Sequence, residues 1–155
     1  MDGGRRLQPA RPTPSSLRSA AVNPGEVLEL FGEVADAVGA ALAEVEDWGE
    51  SGVRPGQYLA DLAADAAAVD RLLDAGLGVL SEESGEQELD RELVVMVDPL
   101  DGSTNASLGV PWYATSLCAF DEAGPLVALV ADQARGRRYT AVRGQGAWRD
   151  GRPLR

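Results

Sequence analysis

The sequence predicts an α+β fold, with two N-terminal helices packed on a mostly antiparallel sheet. Three observations carry this. Apolar residues recur twice at helical spacing before Gly76. From Val79 onward the period shortens to that of strands. Turn signals at Asp121-Glu122-Ala123-Gly124 and Asp150-Gly151 then join those strands as hairpins. A chain of 155 residues, 45% of them apolar, has core enough for one such domain.

Residues 1–22 contain Pro9, Pro12 and Pro14 among Ser and Arg, and they read as a flexible tail. The tail is rich in Arg and poor in acids, as transit peptides are, but it lacks the continuous apolar stretch of a secretory signal. The first helix starts at Asn23-Pro24-Gly25-Glu26, where Asn23 caps and Pro24 suits the first helical position. Leu28, Phe31, Val34, Val38, Leu42 and Val45 follow at helical spacing, and Gly49 ends the segment. A second helix spans about 58–76, with Leu59, Leu62, Ala66, Val69, Leu72 and Leu73 expected on its apolar side. Val79-Leu80 is a short strand, and residues 81–92 read as an acidic loop. Leu93–Val97 is a continuous apolar run, as in a buried strand. Residues 114–120, 125–131 and 138–143 are further strands.

Composition excludes much chemistry. There is no His, hence no imidazole base and no Ser-His-Asp or Cys-His catalysis. All 14 basic residues are Arg, so there is no P-loop lysine and no Schiff base. A single Cys, Cys118, leaves neither a disulfide framework nor a thiolate zinc cluster, and it reads as a reduced core residue. No apolar run nears the roughly 18 residues of a membrane-spanning helix. The formal charge of -11 argues against nucleic acid as a partner. The expected setting is the cytoplasm, away from membranes. What remains is carboxylates, hydroxyls, backbone groups and whatever hard cation carboxylates can hold.

One segment stands out: Asp98-Pro99-Leu100-Asp101-Gly102-Ser103-Thr104-Asn105, directly after the apolar strand. The strand delivers Asp98 to its carboxyl end, and Pro99 bends the chain so that Asp101 can return beside it. Two carboxylates so placed repel unless a cation lies between them. Gly102 permits close backbone approach. Ser103, Thr104 and Asn105 can open a short helix whose free N–H groups suit a phosphate. A plain Asp-Gly turn with capping hydroxyls is the alternative reading, and the length of the string weighs against it.

This string resembles the Asp-Pro-(Ile/Leu)-Asp-Gly-(Thr/Ser)-x-Asn signature of the inositol monophosphatase family of magnesium-dependent phosphatases. Ser81-Glu82-Glu83-Ser84 is similar to that family's Gly-Glu-Glu-Ser segment. Gly109-Val110-Pro111, Thr115-Ser116 and the hairpin Gly144–Gly151 resemble the segments that follow the signature. The resemblance implies a phosphomonoester hydrolase with Mg2+ as cofactor and a small phosphorylated substrate, inositol phosphate or a similar ester, as partner. It implies that Glu82, Asp98 and the carbonyl of Leu100 hold one Mg2+ and that Asp98 and Asp101 hold a second. Ser103 would orient the attacking water, Asp65 would hold that hydroxyl, and the N–H groups of Gly102, Ser103 and Thr104 would receive the phosphate. Beside these, Glu83 reads as a solvated loop acid, with a role at a further metal as the alternative. Asp61 reads as a helix-face acid, and Trp112 and Tyr113 as packing residues.

The family's later Trp-Asp-x-Ala-Gly segment is missing, and its helix motif is reduced to Leu59-Ala60-Asp61-Leu62-Ala63-Ala64-Asp65. Residues 23–155 are therefore expected to form the N-terminal, metal- and phosphate-binding part of such a domain, with the C-terminal half absent. A half-domain would expose apolar surface and invite association, a homodimer being the simplest outcome. A non-catalytic remnant, or a module that binds metal or phosphate and other proteins, is the competing reading.

Overall fold

A computed structural model describes residues 23–155; the expected tail, residues 1–22, lies outside the described residues. Helix α1 spans Pro24–Ala43, and the side chain of Asn23 caps it by accepting from the Gly25 N–H at 2.9 Å. It buries Val27, Phe31, Val34, Ala35, Val38 and Leu42. The helix stops well before Gly49, because the Glu44 N–H turns back to the Ala41 and Leu42 carbonyls. The Trp48 indole N–H then donates to the Val45 carbonyl at 3.1 Å and curls the chain into a loop.

Helix α2 spans Leu59–Asp74; of its expected apolar side, Val69 and Leu72 are buried, but the rest of the buried face differs. Ala60, Asp61, Ala64, Asp65, Ala68, Val69 and Leu72 point inward, whereas Leu59 and Leu62 are 38% and 37% exposed. The alanines explain this: without bulk beyond Cβ, they let α2 lie close against α1 and the sheet. Two carboxylates are carried inward on the same face, at i and i+4.

Among the described residues, eight strands form one sheet in the order β2-β1-β3-β4-β5-β6-β7-β8. They are β1 (Gly78–Ser81), β2 (Gly85–Gln87), β3 (Val94–Asp101), β4 (Ala114–Asp121), β5 (Gly124–Asp132), β6 (Arg137–Val142), β7 (Gly146–Arg149) and β8 (Arg152–Pro153). Among these, only β1 and β3 pair in parallel, so the sheet is mostly antiparallel, as expected. Strand β2 lies within the segment read as a loop; its Gly, Glu and Gln carry no strand pattern, and it forms as the antiparallel return from β1. Helix α1 packs on β4 and β5 and α2 on β1 and β3, so both cover one face. That face contributes Val79, Val95, Val97, Leu117, Val127 and Leu129 to the core beneath the two helices. The opposite face carries Leu80, Met96, Cys118, Phe120 and Val130, and Met96 and Val130 remain 47% and 40% exposed. Cys118 is therefore a half-buried residue of the outer face, not a core residue.

Candidate active site

The site forms where the parallel strands β1 and β3 end. The Glu82 N–H donates to the Val97 carbonyl at 3.1 Å, which sets Glu82 beside Asp98 across the two strand ends. Strand β3 runs on through Pro99 to Asp101, and its pairing with β4 slips between Asp98 and Asp101. The bend is propped from within. The buried Thr115 hydroxyl donates to the Pro99 carbonyl at 2.9 Å, and the Gln133 amide donates both to that hydroxyl and to the Ala35 carbonyl, each at 2.9 Å. A residue of α1, one of β4 and the end of β5 thus hold the turn that carries the acids.

Burial, a hydrogen bond with Glu82, and the charges of Glu82 and Asp101 push the Asp98 carboxyl up to about 7, while the Leu100 N–H pulls it the other way. A cation placed among these carboxylates would relieve that crowding of charge. The donor set around them is entirely oxygen (Glu82, Asp98, Asp101 and the Leu100 carbonyl), which suits Mg2+ and excludes softer metals. Among the described residues, no three acidic side chains already close around one point. The fit is therefore one of donor chemistry and crowded charge.

Gly102 follows with φ +88°, the left-handed conformation, as the cap of the short helix α3 (Ser103–Ser107). A Cβ at Gly102 would lie 2.9 Å from the Trp112 carbonyl oxygen, so glycine is needed for backbone angle and for space. The Asn105 amide donates to the same carbonyl at 2.9 Å and pins the segment after α3 against the turn. The Tyr58 hydroxyl lies 3.3 Å from the Thr104 hydroxyl, tying the start of α2 to α3.

The two buried aspartates of α2 have different partners. Asp61, only 2% exposed, accepts from the Tyr58 N–H at 2.7 Å and faces the Ser103 hydroxyl. Burial raises its pKa; the Tyr58 N–H and Ser103 hydroxyl oppose the rise, and the Glu82 charge adds to it. Asp65, one turn further on, instead accepts from the buried Ser81 hydroxyl, which in turn accepts from the Glu83 N–H at 3.1 Å. The expected partner of Asp65 was the Ser103 hydroxyl; in the structure Asp65 accepts from Ser81 and so secures the end of β1 from which Glu82 projects, while Asp61 is the acid of α2 whose charge feels Ser103. The reduced helix motif hid this, but the i, i+4 pair of acids on the alanine face was a usable signal.

Glu83 is also not a solvated acid. Its side chain is 10% exposed, and it accepts from Arg54 at 2.5 Å and from Gln57 at 2.5 Å. Arg54 reaches the Glu82 carbonyl as well, at 3.4 Å. The loop between α1 and α2 is thereby strapped over the end of β1, a contact between residues too far apart in sequence to be read. Trp112 is 68% exposed with the Arg135 guanidinium 5.0 Å from its ring centre, whereas Tyr113 is half-buried against the core. Beside the acids, the outer face of the sheet forms an open depression of about 540 Å³ lined by Leu80, Met96, Cys118 and Phe120.

Helices on one face of a mixed sheet, with acids at the ends of parallel strands and a left-handed turn into a short helix, define a layered α+β protein with a carboxylate-rich strand end. The family model of the inositol monophosphatase family matches residues 28–155, and the chain belongs to that family. A fructose-1,6-bisphosphatase of Pyrococcus furiosus is 34% identical over 97 residues, which are 63% of this chain and 38% of that protein. The Nus factor SuhB of Escherichia coli is 38% identical over 98 residues, 61% of this chain and 37% of that one. Among solved structures, an extragenic suppressor from Pyrococcus furiosus superposes with a TM-score of 0.75 at 26% identity, covering 86% of this chain and 56% of that chain. An inositol monophosphatase from Anabaena gives 0.71 at 27% identity, covering 86% and 50%. The chain thus spans about half the length of the solved relatives it matches and less than two-fifths of the curated ones.

Proposed function

We propose that this chain carries the metal- and phosphate-binding end of a Mg2+-dependent phosphomonoester hydrolase. The observation that carries the reading is the placement of Glu82, Asp98 and Asp101 at the ends of β1 and β3, directly before the left-handed turn at Gly102. Glu82, Asp98, the Leu100 carbonyl and Asp101 are the residues that would hold Mg2+. When bound, Mg2+ supplies charge neutralisation for the phosphate and lowers the pKa of water. The chain's own groups do the rest. The N–H groups of Gly102, Ser103 and Thr104 receive phosphate oxygens. The Ser103 hydroxyl orients the attacking water, and Asp61 holds that hydroxyl by accepting its hydrogen bond. Asp61 is suited to this because burial raises its pKa, making it a better proton acceptor than a surface carboxylate. Asp65 acts as a positioning residue, through Ser81, on the strand end that presents Glu82.

The substrate proposed is a small phosphate monoester in the cytoplasm, with an inositol monophosphate as the default. Fructose 1,6-bisphosphate is the next candidate, since relatives named for it match the same segment. The test is phosphate release from inositol 1-phosphate with Mg2+, by the chain alone and with a supplied second half of a family member, and its loss in Asp98→Asn. Release that disappears in the variant supports the reading. Calorimetry that detects Mg2+ binding with no turnover in either setting overturns it in favour of a non-catalytic binding module.

A further inference from the structure

The bend between Asp98 and Asp101 is a bulge. Asp98 stands opposite Ser116 and Asp101 opposite Ala114, so Pro99 and Leu100 of β3 share a single partner on β4, Thr115. Thr115 and Pro99 are both fully buried, and the Thr115 hydroxyl donates its one proton to the Pro99 carbonyl at 2.9 Å. Toward any other group that hydroxyl can only accept. The Gln133 amide nitrogen fills the accepting side at 2.9 Å and gives its second hydrogen to the Ala35 carbonyl of α1, also at 2.9 Å. The main-chain N–H of Gln133, the first residue past β5, donates to the Tyr113 carbonyl at 3.2 Å and fixes where this side chain starts. Helix α1 leaves room for it at Gly39, where a Cβ would come within 3.0 Å of the Gln133 side-chain oxygen. The Pro99 carbonyl belongs to the same planar peptide as the Leu100 N–H, and that N–H bonds the Asp98 carboxylate. A directional relay thus runs from α1 through Gln133, Thr115 and one peptide plane to Asp98.

We propose that Gln133 and Thr115 are positioning residues for the divalent-cation site, acting through the Pro99–Leu100 peptide on the donors at the end of β3. The proposal rests on the reading that Glu82, Asp98, Asp101 and the Leu100 carbonyl hold Mg2+. A peptide plane turns as one body, so fixing the Pro99 carbonyl fixes the direction of the Leu100 N–H and with it the Asp98 carboxylate. The next peptide carries the Leu100 carbonyl, so the same anchor sets where that donor points. Groups that orient metal-binding carboxylates from behind govern affinity almost as the donors themselves do. They also govern which ion is preferred. Mg2+ demands near-ideal octahedral geometry at about 2.0–2.1 Å, whereas Ca2+ accepts longer and more flexible shells. A donor set held by a buried relay therefore favours Mg2+, and a loosened set loses Mg2+ before it loses Ca2+.

Calorimetric titration of the full chain with MgCl2 and, separately, with CaCl2 tests this. Thr115→Val keeps the shape and removes the hydroxyl; Mg2+ affinity is expected to fall by about tenfold to a hundredfold and Ca2+ affinity by less. Thr115→Ser, which keeps the hydroxyl, retains the affinities of the unaltered chain. Gln133→Met weakens Mg2+ binding in the same direction by a smaller factor, because the Thr115 hydroxyl still reaches Pro99. The double variant binds no more weakly than Thr115→Val alone, since the amide acts only through the hydroxyl. Far-UV circular dichroism verifies that each variant is folded; should Thr115→Val not fold, the Mg2+-selective loss must appear in Gln133→Met. Folded variants that bind Mg2+ as tightly as the unaltered chain overturn the proposal. So does an equal loss of both ions, or losses that add in the double variant. An unaltered chain that binds neither ion brings down the reading of the site and this proposal together, whereas binding shared undiminished by the variants brings down this proposal alone.

Discussion

Replacing Gly102 by alanine tests how the site is built, because the change adds one methyl group and no chemistry. Two costs follow from the structure. The residue holds φ +88°, which costs an L-residue roughly 1–2 kcal/mol. The new Cβ would also sit 2.9 Å from the Trp112 carbonyl oxygen and 3.4 Å from Tyr113 backbone, so the turn or the segment after α3 must shift by a few tenths of an ångström. That shift strains the Asn105 bond to the same carbonyl. Together the losses come to about 2–3 kcal/mol, a fall in Tm of about 6–12 °C for a domain of this size. Function is expected to suffer more than stability, since the displaced N–H groups are those proposed to receive phosphate. Thermal unfolding followed by circular dichroism reads the first effect, and phosphate release with Mg2+ reads the second. A Gly102→Ala chain with unchanged Tm and unchanged turnover would refute both the close approach and the role of the turn.

Three further outcomes are expected. Asp61→Asn should lower phosphate release by about a hundred- to ten-thousandfold while leaving Tm within a few degrees, because the amide still accepts from the Tyr58 N–H; Asp65→Asn should instead lower Tm by weakening its bond to Ser81. The Asp98 carboxyl is raised from 3.8 to about 7, so between those values the folded chain holds a proton that the unfolded chain has released. Without divalent cations, stability should therefore be greatest at the acid end of that window and decline as pH rises through about 7, by about 1–2 kcal/mol after allowance for solvent screening; Asp98→Asn should flatten the profile of Tm against pH in EDTA, and a wild-type profile that rises instead would contradict the charge crowding. Glu83→Ala should cost about 1–3 kcal/mol, because the buried Gln57 amide loses its acceptor, and limited proteolysis should then cut residues 44–58 faster; unchanged cleavage would show that the strap does not hold the loop.

The eight-residue string from Asp98 to Asn105 was legible at once, because its chemistry depends on neighbours in the chain: a strand end, a proline bend, a glycine and hydroxyls. The hairpins were legible for the same reason. The orientation of α2 was legible only in part, through Val69 and Leu72. Leucines at helical spacing suggested one buried face, but helix packing is decided by how closely two surfaces approach, and the alanines of α2 allowed the closer contact. That face carries Asp61 and Asp65 inward, Asp65 onto the Ser81 hydroxyl and Asp61 onto the Tyr58 N–H.

The strap of Arg54 and Gln57 on Glu83 likewise joins segments that only the fold makes neighbours. The sequence by itself determined the two helices, the main hairpins and the string of carboxylates, glycine and hydroxyls at the end of β3, since each is written in local composition and spacing. Only the tertiary structure decided which carboxylates meet, which acid is buried, and which face of the sheet the two helices cover. Those are distances between residues remote in the chain, and they arise when helices and strands pack.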